Sequence, residues 1–120
     1  MAILATMIAL VAPNPVVREE GVSAHANSGC RTHWCHHMWH VVRMYNPKLE
    51  RIAGCESGHR WHIATGNGFF GGLQFTLGTW RSVGGVGYPH WASRLTQKYR
   101  AMLVYFRRGS WADWPICGYR

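Results

Sequence analysis

The chain has 120 residues and a formal charge of +8, so it has room for one domain at most. A folded core of about seventy residues buries little apolar surface, so we expect a covalent staple. The positive charge favours an anionic partner, and nucleic acid, a membrane surface and bacterial wall polymers all qualify. The basic residues form no dense run, and no helix-turn-helix, zinc-finger or RNA-binding sheet motif accompanies them. Nucleic-acid binding is therefore not expected.

The pattern over residues 1–26 indicates a targeting segment and a linker. Residues 2–12 form an apolar run that is too short to span a bilayer, and Ala-His-Ala at 24–26 suits signal-peptide cleavage. No Lys or Arg precedes the run, so an N-terminal core strand that is not removed is the alternative. We favour export, which predicts a secreted protein with no membrane contact beyond the signal segment.

Residues 27–46 form a basic extension that is rich in histidine, cysteine and tryptophan. Three of its histidines could share one helix face: His33, His36 and His40. The four-residue gap between Cys30 and Cys35 is not a usual zinc spacing, and no second ligand pair follows, so we expect no metal. A local Cys30–Cys35 disulfide would fit an exported segment equally well, and the histidines are then simply solvated.

The spacing of apolar residues predicts a helix over 47–56. Asn46 suits the N-cap, Pro47 suits the first helical position, and Gly58 can end the helix in the left-handed conformation. One face of this helix follows the i, i+3, i+4, i+7 spacing: Leu49, Ile52, Ala53 and Glu56.

Glu56 is a carboxylate at a position where this face calls for a core side chain. The negative end of the helix dipole and an apolar surround both oppose its ionisation. A glutamic acid that stays protonated near neutral pH is what a general acid for glycoside cleavage requires. The alternative is a buried glutamate paired with a basic neighbour, and the pattern alone does not decide between the two.

The chain has only five acidic residues, and the other four offer no evident second catalytic carboxylate. Glu19 and Glu20 belong to the N-terminal region, and Glu50 lies well off the face of Glu56. Asp113 lies in a predicted surface segment near the C-terminus. A sugar-cleaving site in this chain is therefore expected to use a single carboxylate.

The remainder of the chain predicts a mainly helical α+β fold. A glycine- and aromatic-rich loop covers 57–74, and a short helix follows over 76–83. The longest amphipathic stripe runs from 92 to 106 and ends at Gly109.

Three motifs carry a family resemblance. They are Ile-Ala-Gly-Cys-Glu-Ser-Gly at 52–58, Thr-Gly-Asn-Gly-Phe-Phe-Gly-Gly-Leu-Gln-Phe at 65–75, and Trp-Pro-Ile-Cys at 114–117. Together they closely resemble the transglycosylase-like domain of resuscitation-promoting factors, which are secreted muralytic enzymes of actinobacteria. The resemblance covers about residues 47–118, which we expect to form the catalytic domain.

The resemblance implies a small lysozyme-like fold that cleaves the bond between MurNAc and GlcNAc in peptidoglycan. It aligns Glu56 with the family's catalytic glutamate and Thr79 with a threonine that positions substrate. It also places Gln74 and Trp80 in the binding groove.

The same resemblance pairs Cys55 with Cys117, which would supply the staple and fix the helix end that carries Glu56. The chain departs from the family in three places. His-Arg at 59–60 replaces the usual Gly-Asn, Thr76 stands where some members carry an acidic residue, and Ala-Asp at 112–113 replaces the common Gly-Ala. These departures leave the details of the subsites and the pH optimum open.

Aromatic side chains can stack on sugar rings, and amide or hydroxyl groups can direct hydrogen bonds to them. The expected substrate-binding residues are Thr79, Gln74, Trp80, Asn67, Trp61, Phe70 and Tyr88. Phe69 and Trp91 are further candidates for stacking. Since most tryptophans in a small domain belong to the core, we expect roughly half of these aromatic residues to be internal packing.

The sequence therefore predicts a secreted, wall-associated, monomeric enzyme that needs no cofactor. It would act as a lytic transglycosylase or a muramidase on the β-1,4 bond of peptidoglycan glycan strands, with an endopeptidase as a candidate partner. Two alternatives stay open: a non-catalytic peptidoglycan-binding or signalling module, and a phage-encoded wall lysin with the same chemistry.

Overall fold

The structure is a computed structural model that describes residues 32–120. The helices in this range are α1 (His33–Arg43), α2 (Asn46–Ser57), α3 (Leu77–Ser82) and α4 (Arg94–Arg108), and Pro89–Trp91 and Cys117–Tyr119 form 3₁₀ turns. From residue 32 onward, every helix lacks the length or the apolar character that a membrane span requires. The predicted signal segment, its core-strand alternative and Cys30 of the predicted Cys30–Cys35 bridge lie outside the described residues.

Helix α2 begins slightly earlier than the sequence predicts. Tyr45 occupies the cap position without a side-chain cap bond, and Asn46 is already helical. The prediction of Asn46 as the N-cap is wrong, because its Oδ1 instead accepts a hydrogen bond from Lys98 Nζ at 2.5 Å. The predicted end of the helix is confirmed, since Gly58 has φ 63 and its N–H donates back to the helix.

Helix α4 supplies the long apolar face that the stripe predicts. Ser93 caps its N-terminus by accepting a hydrogen bond from the Thr96 N–H, and Gly109 ends it with φ 70. The apolar residues along most of the stripe are buried: Ala92, Leu95, Tyr99 and Met102. Phe106, at the far end, is exposed.

The segment that the sequence sets apart as a histidine-rich extension forms α1, and α1 packs against α4. Cys35, Met38 and Val42 on α1 are buried in the common core. All four of its histidines are exposed, namely His33, His36, His37 and His40. Within residues 32–120 there is no group of three or more histidine, cysteine or acidic side chains that could hold a metal ion.

The mainly helical fold class is confirmed. In the described part of the chain, extended structure is limited to two isolated bridges, which join Ala64 to Phe70 and Phe70 to Phe75. The bridges fold the glycine- and aromatic-rich loop between α2 and α3 back on itself. Gln74 and Phe75 lie at the end of this loop, just before the start of α3.

Gln97 joins helix α4 to that loop. The residue is completely buried, and its Nε2 donates hydrogen bonds to the carbonyls of Trp61 at 2.8 Å and Ala92 at 3.0 Å. Its Oε1 accepts from the N–H of Gly72 at 2.9 Å. One amide group therefore satisfies three backbone groups that have no access to water.

Replacing Gln97 with methionine is expected to lower the free energy of unfolding by about 3 kcal/mol, because three buried backbone groups lose their partner while the side-chain volume is nearly kept. Urea unfolding followed by circular dichroism measures this change. A loss below about 1 kcal/mol, the net value of one ordinary hydrogen bond, would contradict the role given to Gln97.

A cluster of charged side chains joins α2 to α4. The Glu50 carboxylate is paired with Arg94 and Lys98, and His59 Nε2 lies 3.4 Å from its second oxygen. Burial acts to raise the pKa of Glu50, but the hydrogen bonds from Lys98 and Arg94 outweigh it and hold this pKa below its ordinary value. Burial lowers the pKa of Lys98. Glu50 is thus a structural anion between two helices.

Candidate active site

Glu56 lies in the last turn of α2 between two anchored neighbours. Cys55 is disulfide-bonded to Cys117 with a Cα–Cα distance of 5.6 Å, as the family resemblance predicts. The Ser57 hydroxyl is buried and lies 2.8 Å from the Gly72 carbonyl oxygen, to which it donates a hydrogen bond. The helix end that carries Glu56 is therefore tied both to the glycine-rich loop and to the turns at residues 111–119, which we call the C-terminal turn.

The environment of Glu56 favours its protonated form. The side chain is half-buried, and burial raises the pKa of its carboxyl above the ordinary value. The three apolar residues of the same helix face are completely buried: Leu49, Ile52 and Ala53. The ion pairs found among residues 32–120 do not include Glu56. The arrangement agrees with the general-acid hypothesis and not with a glutamate paired to a basic neighbour.

Two adjoining cavities form a groove along α3 and the C-terminal turn. The larger has a volume of about 460 Å³ and the smaller about 140 Å³. Thr79, Arg108 and Asp113 line both cavities, so the two adjoin at these residues, and we call them together the groove. Gln74 and Trp114 line the smaller cavity.

Glu56 is not among the residues that line these two cavities, but its anchored neighbours connect it to the wall of the smaller one. The Ser57 hydroxyl holds the loop two residues before Gln74. The Cys55–Cys117 bridge holds the C-terminal turn that contains Trp114, whose indole Nε1 donates to the Leu73 carbonyl at 2.7 Å. The end of α2 is thus joined to both segments that build this wall.

Gln74 adopts a left-handed backbone conformation with φ 52, which is unfavourable for a residue other than glycine. Its Nε2 donates to the Gly71 carbonyl at 2.9 Å. Gly71 is itself left-handed, and a Cβ there would lie 2.4 Å from Gln97 Oε1. Strained positions of this kind are concentrated at functional sites, and this strain agrees with the predicted place of Gln74 in the groove.

Thr79 lies in the first turn of α3 and lines both parts of the groove. The Thr76 hydroxyl caps this helix: it accepts from the Thr79 N–H at 3.2 Å and donates to Thr79 Oγ1 at 3.1 Å. The Thr79 hydroxyl is therefore oriented by Thr76, in a residue that lines the groove.

Two of the predicted sugar-binding aromatic residues are core residues instead. Trp61 is only 8% exposed and Trp80 only 1% exposed. Arg94 and Lys98 lie over the Trp61 ring, and the Trp80 ring lies so close to Gly85 that a Cβ there would be 2.4 Å away. Neither indole presents a face on which a sugar could stack, so we reassign both to packing.

Phe70 and Tyr88 pack against each other, with a distance of 5.4 Å between their ring centroids. Trp91 packs edge-on to Tyr88 at 4.7 Å and is 70% exposed. Asn67 is exposed, and its Oδ1 accepts from the Phe69 N–H at 3.1 Å. Phe69 lines the smaller cavity, whereas the other four residues do not line the groove.

The charged residues of the groove are not predicted by the sequence pattern. The pattern places Asp113 in a surface segment, but the side chain is only 15% exposed and its Oδ1 lies 3.0 Å from Arg108 Nε. Arg107 also lines the larger cavity. The replacement of the family's common Gly-Ala by Ala-Asp at 112–113 was the one available signal, because it adds a carboxylate beside Trp114.

A half-buried glutamate at a disulfide-anchored helix end, which is joined to the wall of a polar groove in a small helical domain, defines a lysozyme-like transglycosylase domain. The model of the family described as "Transglycosylase-like domain" matches residues 44–117, and the chain belongs to this family.

Curated proteins similar to the chain are resuscitation-promoting factors. It is 53% identical to Rpf of Micrococcus luteus over 68 residues, which is 57% of this chain and 30% of that protein. It is 50% identical to RpfE of Mycobacterium tuberculosis over 76 residues, which is 63% of this chain and 44% of that protein. It is 48% identical to RpfC of M. tuberculosis over 73 residues, which is 61% of this chain and 51% of that protein. The chain thus spans about half or less of the length of these relatives.

Proposed function

We propose that the chain is a secreted enzyme that cleaves the β-1,4 bond between MurNAc and GlcNAc in peptidoglycan by a single-glutamate mechanism. The observation that carries this proposal is Glu56, a half-buried carboxyl whose pKa is raised by burial, at a helix end that is anchored to the segments of the groove wall. Membership of the transglycosylase-like family agrees with glycan cleavage.

In the first step, protonated Glu56 donates its proton to the glycosidic oxygen while the bond from that oxygen to C1 of MurNAc breaks. Positive charge develops at C1 in an oxocarbenium-like transition state. The acetamido oxygen of the substrate stabilises this charge, in place of a second enzyme carboxylate. Thr79 and Gln74 hold the sugar by hydrogen bonds, which supplies orientation.

In the second step, ionised Glu56 accepts the proton of the C6 hydroxyl as the O6 atom bonds to C1. The product is a 1,6-anhydro sugar, and the carboxyl is protonated again for the next cycle. If water attacks C1 instead, Glu56 accepts a proton from that water and the product is a reducing sugar. The first outcome defines a lytic transglycosylase and the second a muramidase.

Mass spectrometry of the muropeptides released from purified sacculi tests this function. Anhydro products are expected from a transglycosylase and reducing MurNAc ends from a muramidase, and either supports glycan cleavage. A correctly folded protein that binds sacculi but releases nothing would support the alternative of a non-catalytic binding or signalling module.

A mechanism with two catalytic carboxylates is the competing hypothesis, because Asp113 also lines the groove. We assign it to binding, since its carboxylate is paired with Arg108 at 3.0 Å. Asp113→Asn is therefore expected to keep turnover, whereas loss of a nucleophile or base would lower kcat by about a thousandfold or more. Release of soluble muropeptides measures this. A loss as large as that of Glu56→Gln would establish Asp113 as a second catalytic carboxylate.

Export, a monomeric state and cooperation with a peptidoglycan endopeptidase are also part of this proposal. N-terminal sequencing of the protein recovered from the culture medium would test the export and cleavage predicted at 24–26. An uncleaved protein that stays inside the cell would contradict them.

A further inference from the structure

The larger cavity of the groove is lined by two arginines that have different partners. Arg108 Nε is 3.0 Å from the Asp113 carboxylate. Arg107 Nη2 instead donates to the carbonyl oxygen of Ser82 at 2.7 Å and to its hydroxyl at 2.8 Å. The charge of Arg108 is therefore compensated by a carboxylate, whereas Arg107 is held by two neutral oxygens.

Ser82 orients the guanidinium of Arg107 without neutralising it. Its two oxygens occupy Nη2, and the planar group carries further N–H donors on Nε and Nη1. The bond spans from α4 to α3, so the side chain is ordered before any ligand arrives. A fixed guanidinium with an uncompensated charge and unused donors is suited to an anionic oxygen such as that of a carboxylate, to which it can donate a charge-assisted hydrogen bond.

The side chains that line the larger cavity carry a net charge that suits the binding of one anion. Arg107 and Arg108 contribute +2 and Asp113 contributes −1, and the other residues that line the larger cavity are uncharged. Thr79 lines both cavities, so a sugar bound at Thr79 in the smaller cavity would project a substituent into the larger one.

We propose that the larger cavity is a carboxylate subsite in which Arg107 binds an acidic group of the peptide stem carried by the glycan strand. This inference rests on the proposed function, because the stem is part of the peptidoglycan substrate. Asp113 limits the charge of the subsite by neutralising Arg108, and so sets how strongly the enzyme prefers strands that carry stems over bare strands.

The test compares kcat/KM on two forms of the same glycan: strands that carry peptide stems, and strands from which an amidase has removed them. Arg107→Ala is expected to lower kcat/KM on stem-bearing strands about tenfold, the effect typical of one charge-assisted hydrogen bond. Bare strands keep only the lactyl carboxylate that the amidase leaves on MurNAc. On them the substitution should change kcat/KM by less than about twofold, since the stem carboxylates are absent from that substrate.

Three further variants sharpen the comparison. Arg81→Ala removes an exposed arginine that lies on α3 and does not line the groove, and it should leave the ratio between the two substrates unchanged. Arg107→Lys keeps the charge without the planar donors and should retain part of the preference. Asp113→Asn removes the carboxylate that neutralises Arg108, so it should increase the preference for stem-bearing strands about threefold. This change is in the opposite direction to that expected for Arg107→Ala.

Equal losses on both substrates for Arg107→Ala, or a reduced preference for Asp113→Asn, would overturn the carboxylate subsite. Melting temperatures measured beside the kinetics separate a binding defect from misfolding, and Arg107→Lys then decides if Arg107→Ala does not fold. Failure of the unmodified protein to cleave either form would instead overturn the proposed function.

Discussion

Replacing Cys55 and Cys117 together by serine is expected to lower the free energy of unfolding by about 4 kcal/mol and the melting temperature by about 20 °C. The bridge closes a loop with a sequence separation of 62 residues, so its loss restores much conformational freedom to the unfolded chain. Unfolding in guanidinium chloride and thermal denaturation measure the change in free energy and in melting temperature.

The same double variant is expected to lose activity under conditions where it is still folded. Cys55 directly precedes Glu56, and without the bridge the end of α2 loses its covalent tie to the C-terminal turn. Activity on sacculi should therefore be measured well below the new melting temperature. Wild-type stability together with wild-type turnover would show that the bridge neither staples the domain nor positions the acid.

Glu56→Gln is expected to lower turnover of peptidoglycan by about a thousandfold or more, because the amide keeps the shape of the side chain but cannot donate the proton. The variant should be at least as stable as the wild type at neutral pH. A carboxyl whose pKa is raised in the folded protein contributes stability below its unfolded pKa and loses it as the pH rises through the folded pKa. The neutral amide avoids that loss, so a lower melting temperature at pH 7 would contradict the burial argument.

The pH dependence of wild-type activity follows from the same raised pKa of Glu56. Activity requires protonated Glu56, so it should persist above the ordinary carboxyl value of 4.5 and decline as the pH passes the raised pKa. A profile of kcat/KM against pH, recorded on soluble glycan fragments, measures that decline. A decline centred at or below 4.5 would show that burial does not control this group.

Helix α2 and its catalytic candidate could be predicted from sequence because their signals are local. The apolar spacing, Pro47 and the left-handed Gly58 are all read within one segment. The prediction that Asn46 is the N-cap was wrong because its side chain accepts a hydrogen bond from Lys98, which is distant in the sequence. No local pattern carries that information.

The burial of the tryptophans and the lining of the groove depend on tertiary structure. Tryptophan is a residue type that is common in sugar-binding sites, yet the fold buries both Trp61 and Trp80. Arg107, Arg108 and Asp113 reach the groove because the end of α4 and the C-terminal turn return to α3. Contacts between segments so far apart in the chain leave no periodic signal in one sequence.

One departure from the family has a physical reason that only the backbone shows. His59 stands where the family usually has glycine, and its φ of 62 is a conformation that glycine adopts without strain. The His59 side chain lies beside Gly54, and its Nε2 is 2.9 Å from the Glu50 carbonyl oxygen. This contact holds the strained residue against the outer face of α2 and offsets part of its cost.

A paired digestion of purified sacculi by the wild type and by Glu56→Gln, with mass spectrometry of the soluble fraction, tests the single-glutamate mechanism most directly. The wild type should release muropeptides with anhydro or reducing MurNAc ends, and the variant, folded to the same melting temperature or higher, should release almost none. Equal release from both proteins would show that another group breaks the glycan.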